Sequence, residues 1–181
     1  MEQWEQIVRA LGEGCVGILP TDTLYGIVGS ALLPETVERI YTLKERDPQK
    51  PLIVLVADID DLERFGVVLS DRLSAHLNTY WPGPYSIILP TADDDFDYLH
   101  RGLGTIAFRL PDKEELRKLL REAGPIVAPS ANIEGQPPAQ TIEQAQKYFG
   151  TAVDFYIDGG EIDGKPSTIL DLCGEETRKI R

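Results

Sequence analysis

Residues 51–56 read Pro51-Leu-Ile-Val-Leu-Val56, a run of five apolar residues behind a proline. A strand with one wet face alternates apolar and polar residues, whereas a strand covered on both faces does not. The run therefore reads as a buried strand, and its cover has to come from helices elsewhere in the chain.

Helical patterns lie on both sides of it. Residues 34–45 place Val37, Ile40 and Tyr41 on one face behind Pro34 in the first turn. Residues 58–64 and 70–80 also read as helices, the second capped by Ser70. Residues 112–122 carry the stripe Leu116, Leu119 and Leu120, with Asp112 as the expected cap. Thr141 is expected to cap a helix running to Phe149, and residues 2–11 set Trp4, Ile7, Val8 and Leu11 at helical spacing before Gly12 and Gly14. Further strands are expected at 15–19, 85–89, 105–109, 126–128, 153–157, 168–172 and 178–181. The acidic stretch 93–97 reads as a solvated loop. Helices and strands alternate, but some strands follow one another directly. The expected fold class is α/β, a twisted mixed sheet with packed helices, in one domain over residues 1–181.

Composition sets bounds on function. The chain has 181 residues, with 18 basic against 30 acidic and a formal charge of −12. A protein that grips nucleic acid over its whole surface carries the opposite sign, but a small basic pocket inside an acidic shell remains compatible with it. No apolar run approaches the ~20 residues that span a membrane. The start, MEQWEQIVRA, lacks the pattern of a secretory signal. Cys15 and Cys173 are expected to be reduced thiols in a cytoplasmic protein. Two histidines, His76 and His100, leave little material for a metal centre or a catalytic triad, and no metal site is expected.

Five segments are more polar or glycine-rich than a plain connection requires. Pro20-Thr-Asp-Thr-Leu-Tyr-Gly26 follows a buried strand, where open sheets place ligands; it is also compatible with a hydrogen-bonded turn. Lys44-Glu-Arg-Asp-Pro-Gln-Lys50 concentrates three cations suited to a polyphosphate or carboxylate, or to a helix C-terminus. Trp81-Pro-Gly-Pro84 is a rigid turn. Pro129-Ser-Ala-Asn132 ends a strand with two hydrogen-bonding side chains. Asp158-Gly-Gly160, followed by Pro166-Ser-Thr168, permits close backbone approach or a tight turn. No GxxxxGK[ST] and no GxGxxG occurs, so an ATP site here is of another type. No serine has a convincing histidine partner, which disfavours a triad hydrolase.

Taken in order, these segments resemble the YrdC-like family of threonylcarbamoyl-AMP synthases. The matching stretches are PTDTLYGI at 20–27, KERDPQKPL at 44–52, WPGPYSIIL at 81–89, GTIAFRLP at 104–111, PIVAPSAN at 125–132, DGG at 158–160 and PSTILDL at 166–172. The resemblance implies a sheet wrapped around a concave, locally basic cavity. It implies a nucleotidyltransferase that joins L-threonine, bicarbonate or CO2, and ATP into threonylcarbamoyl-adenylate, releasing pyrophosphate. Partner proteins would carry the group on to tRNA, and Mg²⁺ is expected with ATP. By position, Lys44 and Arg46 are implied to be catalytic. Thr23, Arg109, Asn132 and Ser167 are implied to bind threonine, and Arg46, Lys50, Thr105, Ser130 and Arg181 to bind ATP.

The chain departs from the family at Glu134, where a serine is common, and at Leu55, where some relatives have histidine. Ser86 replaces a common threonine. Glu134 is expected to remove an ATP contact and add negative charge near the phosphates. The chain ends at Arg181, short of relatives that run further, and reads as the short family type. Two alternative readings are an RNA-binding module using the concave face and a catalytically silent nucleotide-binding paralogue. The charge favours an acidic exterior around a cationic pocket, with little direct nucleic-acid binding.

Overall fold

The computed structural model describes residues 2–174 and 176–181, with the side chains of residues 2 and 3 left aside. Nine strands form one mixed sheet among the described residues: β1 (Gly17–Pro20), β2 (Tyr25–Ser30), β3 (Ile53–Leu55), β4 (Tyr85–Pro90), β5 (Thr105–Arg109), β6 (Ile126–Val127), β7 (Phe155–Tyr156), β8 (Thr168–Asp171) and β9 (Arg178–Lys179). The spatial order is β7-β1-β2-β6-β3-β5-β4-β8-β9. β3 runs parallel to β5, β4 to β8 and β1 to β7, and the other neighbours are antiparallel. The helices are α1 (Glu2–Gly12), α2 (Pro34–Leu43), α3 (Asp71–Leu77), α4 (Asp97–His100), α5 (Glu114–Ala123) and α6 (Ile142–Phe149).

The two faces of the sheet are covered differently. One face, with Ile27, Val54, Ile87, Ile106 and Phe108, packs into a large core with Val37 and Ile40 of α2 and Ala145 and Phe149 of α6. The opposite face is covered only in part. There Leu19, Val28, Leu55 and Ile126 meet Ile7 and Leu11 of α1 and the Leu116, Leu119 and Leu120 stripe of α5. Beyond α1 and α5 the same face lies open, and the period-two alternation of the strands decides what it shows. In β5, Ile106 and Phe108 point into the large core, so Thr105, Ala107 and Arg109 point into the opening.

Several expectations need correcting. No strand was expected at β2, yet all six of its residues are buried and it forms a hairpin with β1. Its glycines made it read as loop, but Gly29 lets α2 pack directly on the strand: a Cβ there would overlap Thr36. The helix expected at 112–122 starts at Glu114, and its N-cap is Lys113. Asp112 instead gives its backbone N–H to the Asp22 carboxylate at 3.3 Å. The helix expected at 70–80 stops at Leu77, after which Thr79 N–H bonds to His76 O at 3.0 Å and Tyr80 N–H to Leu77 O at 2.9 Å in tighter turns. The cap at Ser70 is present, accepting from Leu73 N–H at 3.2 Å. The stretch at 58–64 is a 3-10 helix, Ile59–Phe65, and the acidic stretch 93–97 winds into a 3-10 turn that leads into α4. The late strands at 153–157 and 178–181 shorten to β7 and β9.

Candidate active site

The open part of the sheet forms a cavity of about 690 Å³. Its floor is the in-facing set of Ile53, Ile88, Thr105, Ala107, Arg109 and Ile169. The β1–β2 turn, the segment after α2 and the segment after β6 wall it, together with Leu103 before β5, Pro166 and Ser167 before β8, and Ile180 and Arg181 after β9. Four cations line it, namely Arg46, Lys50, Arg109 and Arg181, and no Asp or Glu is among the described lining residues. A chain of net charge −12 thus keeps a concentration of positive charge in one concavity.

The β1–β2 turn is fastened from inside. Thr21 Oγ1 donates to Leu24 O at 2.6 Å and accepts from Leu24 N–H at 3.2 Å, closing the hairpin. The turn holds the Thr23 hydroxyl over the end of β5, where Arg109 Nη1 donates to it at 2.8 Å. Asp22 braces the same guanidinium at 3.2 Å. Arg109 is 4% exposed, and neither its Nε nor Asp22 Oδ1 has a hydrogen-bond partner. Burial pushes Arg109 below the usual arginine range; Asp22 pulls it back up and Arg181 lowers it further. A buried, incompletely satisfied guanidinium beside a hydroxyl is a receptor for a carboxylate.

The loop after α2 turns on Glu45, which adopts φ 50°. Arg46 N–H bonds to Tyr41 O at 3.0 Å and Glu45 N–H to Thr42 O at 3.1 Å, a Schellman ending with glutamate in the left-handed position. This turn sends Lys44 and Arg46 to different places. Arg46 lines the cavity, its guanidinium held by the carbonyls of Lys50 and Pro51 at 3.1 Å each. Lys44 is 2% exposed and does not line the cavity. Its Nζ donates to Ser130 O at 2.6 Å, Asn132 O at 2.8 Å and Asn132 Oδ1 at 3.2 Å. Burial, then Arg46, push its ammonium down to about 7, while Glu134 raises it.

Lys44 and Asn132 thus lie behind the cavity wall rather than on it. Asn132 Oδ1 accepts from Ser130 Oγ at 2.6 Å as well as from Lys44. Its Nδ2 donates to Ile133 O at 2.9 Å and Gln136 O at 2.7 Å. The amide is spent inside its own loop, behind the cavity wall. Ser130, by contrast, faces the cavity. The other expected residues, Thr23, Arg46, Lys50, Thr105, Arg109, Ser167 and Arg181, all line it. Ser167 is fixed by a 2.8 Å hydroxyl contact with Ser86, so serine at 86 has a partner of its own. Arg181 folds back so that its guanidinium donates to Ser167 O at 3.1 Å. Burial, then Arg46, lower its pKa, which puts Arg46 and Arg181 within electrostatic range of each other.

Two departures resolve differently. Leu55 sits opposite Arg109 in the β3–β5 register, yet it is fully buried under α5 and does not line the cavity. Glu134 takes Lys50 Nζ at 2.6 Å and Asp47 N–H at 2.7 Å, tying the loop after β6 to the cation-bearing loop after α2. Asp22 and Tyr25 lie in the polar segment 20–26 that the sequence points to, while the apolar lining of Leu52, Leu103, Pro138 and Ile180 was not expected. Tyr25 holds the Asp158-Gly-Gly160 segment by donating to Gly160 O at 2.7 Å and accepting from Gly159 N–H at 2.8 Å. Only an isolated apolar residue between Gly102 and Gly104 hinted at Leu103; the rest carry no local signal.

The sequence profile of the Sua5/YciO/YrdC family, described as telomere recombination, matches residues 9–181. A threonylcarbamoyl-AMP synthase of Pyrococcus abyssi is 34% identical over 177 residues, covering 95% of this chain and 52% of that protein. One of Vibrio campbellii is 31% identical over 176 residues, covering 94% of this chain and 95% of that protein. The crystal structure of P. abyssi Sua5 complexed with L-threonine superposes with a TM-score of 0.92 at 31% identity, over 99% of this chain and 54% of that one. The chain thus spans about half the length of the P. abyssi relative.

Proposed function

The chain belongs to the Sua5/YciO/YrdC family, and from that premise we propose that it is a threonylcarbamoyl-AMP synthase. Its substrates would be L-threonine, bicarbonate or CO2, and ATP. The observation that carries this reading is the Arg109–Thr23 pair, buried at one end of a cavity that also displays Arg46, Lys50 and Arg181.

Arg109 and the Thr23 hydroxyl receive the threonine carboxylate. The threonine amine adds to CO2 and loses a proton, giving a carbamate. A carbamate oxygen then attacks the α-phosphorus of ATP, forming one P–O bond as the bond to the β-phosphate oxygen breaks and pyrophosphate leaves. Both reactants are anions, so proximity and charge neutralisation supply the catalysis, and no covalent nucleophile is needed. Arg46, Lys50 and Arg181 take the phosphates, with Ser130 and Thr105 as hydroxyl contacts. Lys44 and Asn132 act one layer back, holding the loop that presents Ser130. Mg²⁺ would be expected to enter with the phosphates of ATP. The product would pass in the cytoplasm to partner proteins that modify tRNA.

Calorimetry with L-threonine tests the carboxylate end of the cavity. Binding that disappears in Arg109→Met supports the proposal. Equal binding by the variant removes its basis.

A further inference from the structure

Lys50 lines the cavity and is 57% exposed at its side chain, yet its ammonium is held at 2.6 Å by Glu134 Oε1. The other oxygen, Oε2, accepts Asp47 N–H at 2.7 Å, and Glu134 N–H donates to Lys44 O at 2.8 Å. Glu134 thus does two separable things. One carboxylate oxygen fastens a backbone group, and the other engages a cation facing the cavity. Lys50 first, then the Asp47 N–H, hold the Glu134 carboxyl below the usual glutamate range, so it is charged at neutral pH.

We propose that Glu134 is a built-in competitor for Lys50 that sets the affinity of the cavity for polyphosphate. A phosphate chain recruiting Lys50 has to displace a carboxylate already seated on it. The other two cations assigned to the phosphates, Arg46 and Arg181, bond to carbonyls, and Arg109, paired with Asp22 at 3.2 Å, is assigned to the threonine carboxylate instead. Lys50 is therefore the cation whose availability a single residue controls. This deepens the reading of the cavity as a nucleotide site and rests on it.

The test uses inorganic tripolyphosphate, which reports on the cations without any turnover. Glu134→Gln keeps an acceptor for Asp47 N–H and removes the charge. It is expected to bind tripolyphosphate about two- to five-fold more tightly than the wild type, the span that an exposed ion pair supports. In a Lys50→Met background the same substitution is expected to give no gain. Thermal melts establish that each variant is folded. Unchanged or weaker binding by Glu134→Gln would make the residue a loop fastener and overturn the proposal. A gain that persists without Lys50, or a wild type that binds no tripolyphosphate, would overturn it too. Failure of the synthase reading shows up elsewhere, as absent threonine-dependent turnover in a protein that still binds tripolyphosphate.

Discussion

Lys44 Nζ lies 2.6 Å from the carbonyl oxygen of Ser130, a residue 86 positions further along the chain. The contact joins the end of α2 to the loop after β6, and it sets Ser130 at the cavity while Lys44 itself stays buried.

Lys44→Met takes the donor from the Asn132 carbonyl, while Ser130 O keeps Asn132 N–H at 3.0 Å and Asn132 Oδ1 keeps Ser130 Oγ at 2.6 Å. A buried unsatisfied acceptor costs about 1–3 kcal/mol. The loss in urea unfolding should be roughly 2 kcal/mol. ATP affinity, read by calorimetry, should fall with it. A variant of wild-type stability would show that the ammonium does not hold this loop.

Arg109→Met removes the carboxylate receptor and leaves Asp22 buried without its cation. Truncating one member of a buried charge pair costs about 2–5 kcal/mol. The double variant Asp22→Asn/Arg109→Met should recover much of the stability, since it removes both charges. It should still fail to bind threonine. Recovery of threonine binding in the double variant would contradict the assignment.

Gly164 permits the loop before β8 to lie on the β1–β2 turn, and a Cβ there would overlap the Thr23 carbonyl oxygen. Gly164→Ala should push Thr23 off Arg109 and weaken threonine binding by more than tenfold, about 1.4 kcal/mol or more. Calorimetry at equal folded fraction checks this.

Asp154 binds Arg39 through both oxygens, at 2.6 and 3.2 Å, and accepts Val16 N–H at 2.8 Å. Arg39 first, and then the Val16 N–H, against the opposing effect of burial, hold its carboxyl below the ordinary 3.8. A depressed carboxyl stabilises the fold above its unfolded value and loses that contribution as pH falls through the folded value. Asp154→Asn should cost about 1 kcal/mol at pH 7, scaled down for its exposure. The gap between variant and wild type should close as pH falls below 3.8. A gap independent of pH would show that the charge is not the source.

The apolar runs at β3, β4 and β5 and the leucine stripe of α5 were legible because burial leaves a local pattern. β2 was not, because Gly26 and Gly29 suppress the strand signal, and Gly29 serves a packing need set by α2. Expected site residues line the cavity where the side chain lies on an in-facing strand position or a loop tip, as with Arg109, Thr105 and Lys50. Lys44 and Asn132 lie one layer behind it. Their burial depends on a contact 88 residues long, which no local pattern reports. The Glu134–Lys50 pair, 84 residues apart, was hidden for the same reason; the sequence showed only an acid near expected phosphates.

The central claim is tested most directly by pyrophosphate release from the purified chain with ATP, bicarbonate and L-threonine. Release that stops when threonine alone is omitted, with threonylcarbamoyl-AMP identified by mass spectrometry, is the predicted result. Release that proceeds equally without threonine, or no release from folded protein that binds both substrates, would contradict it.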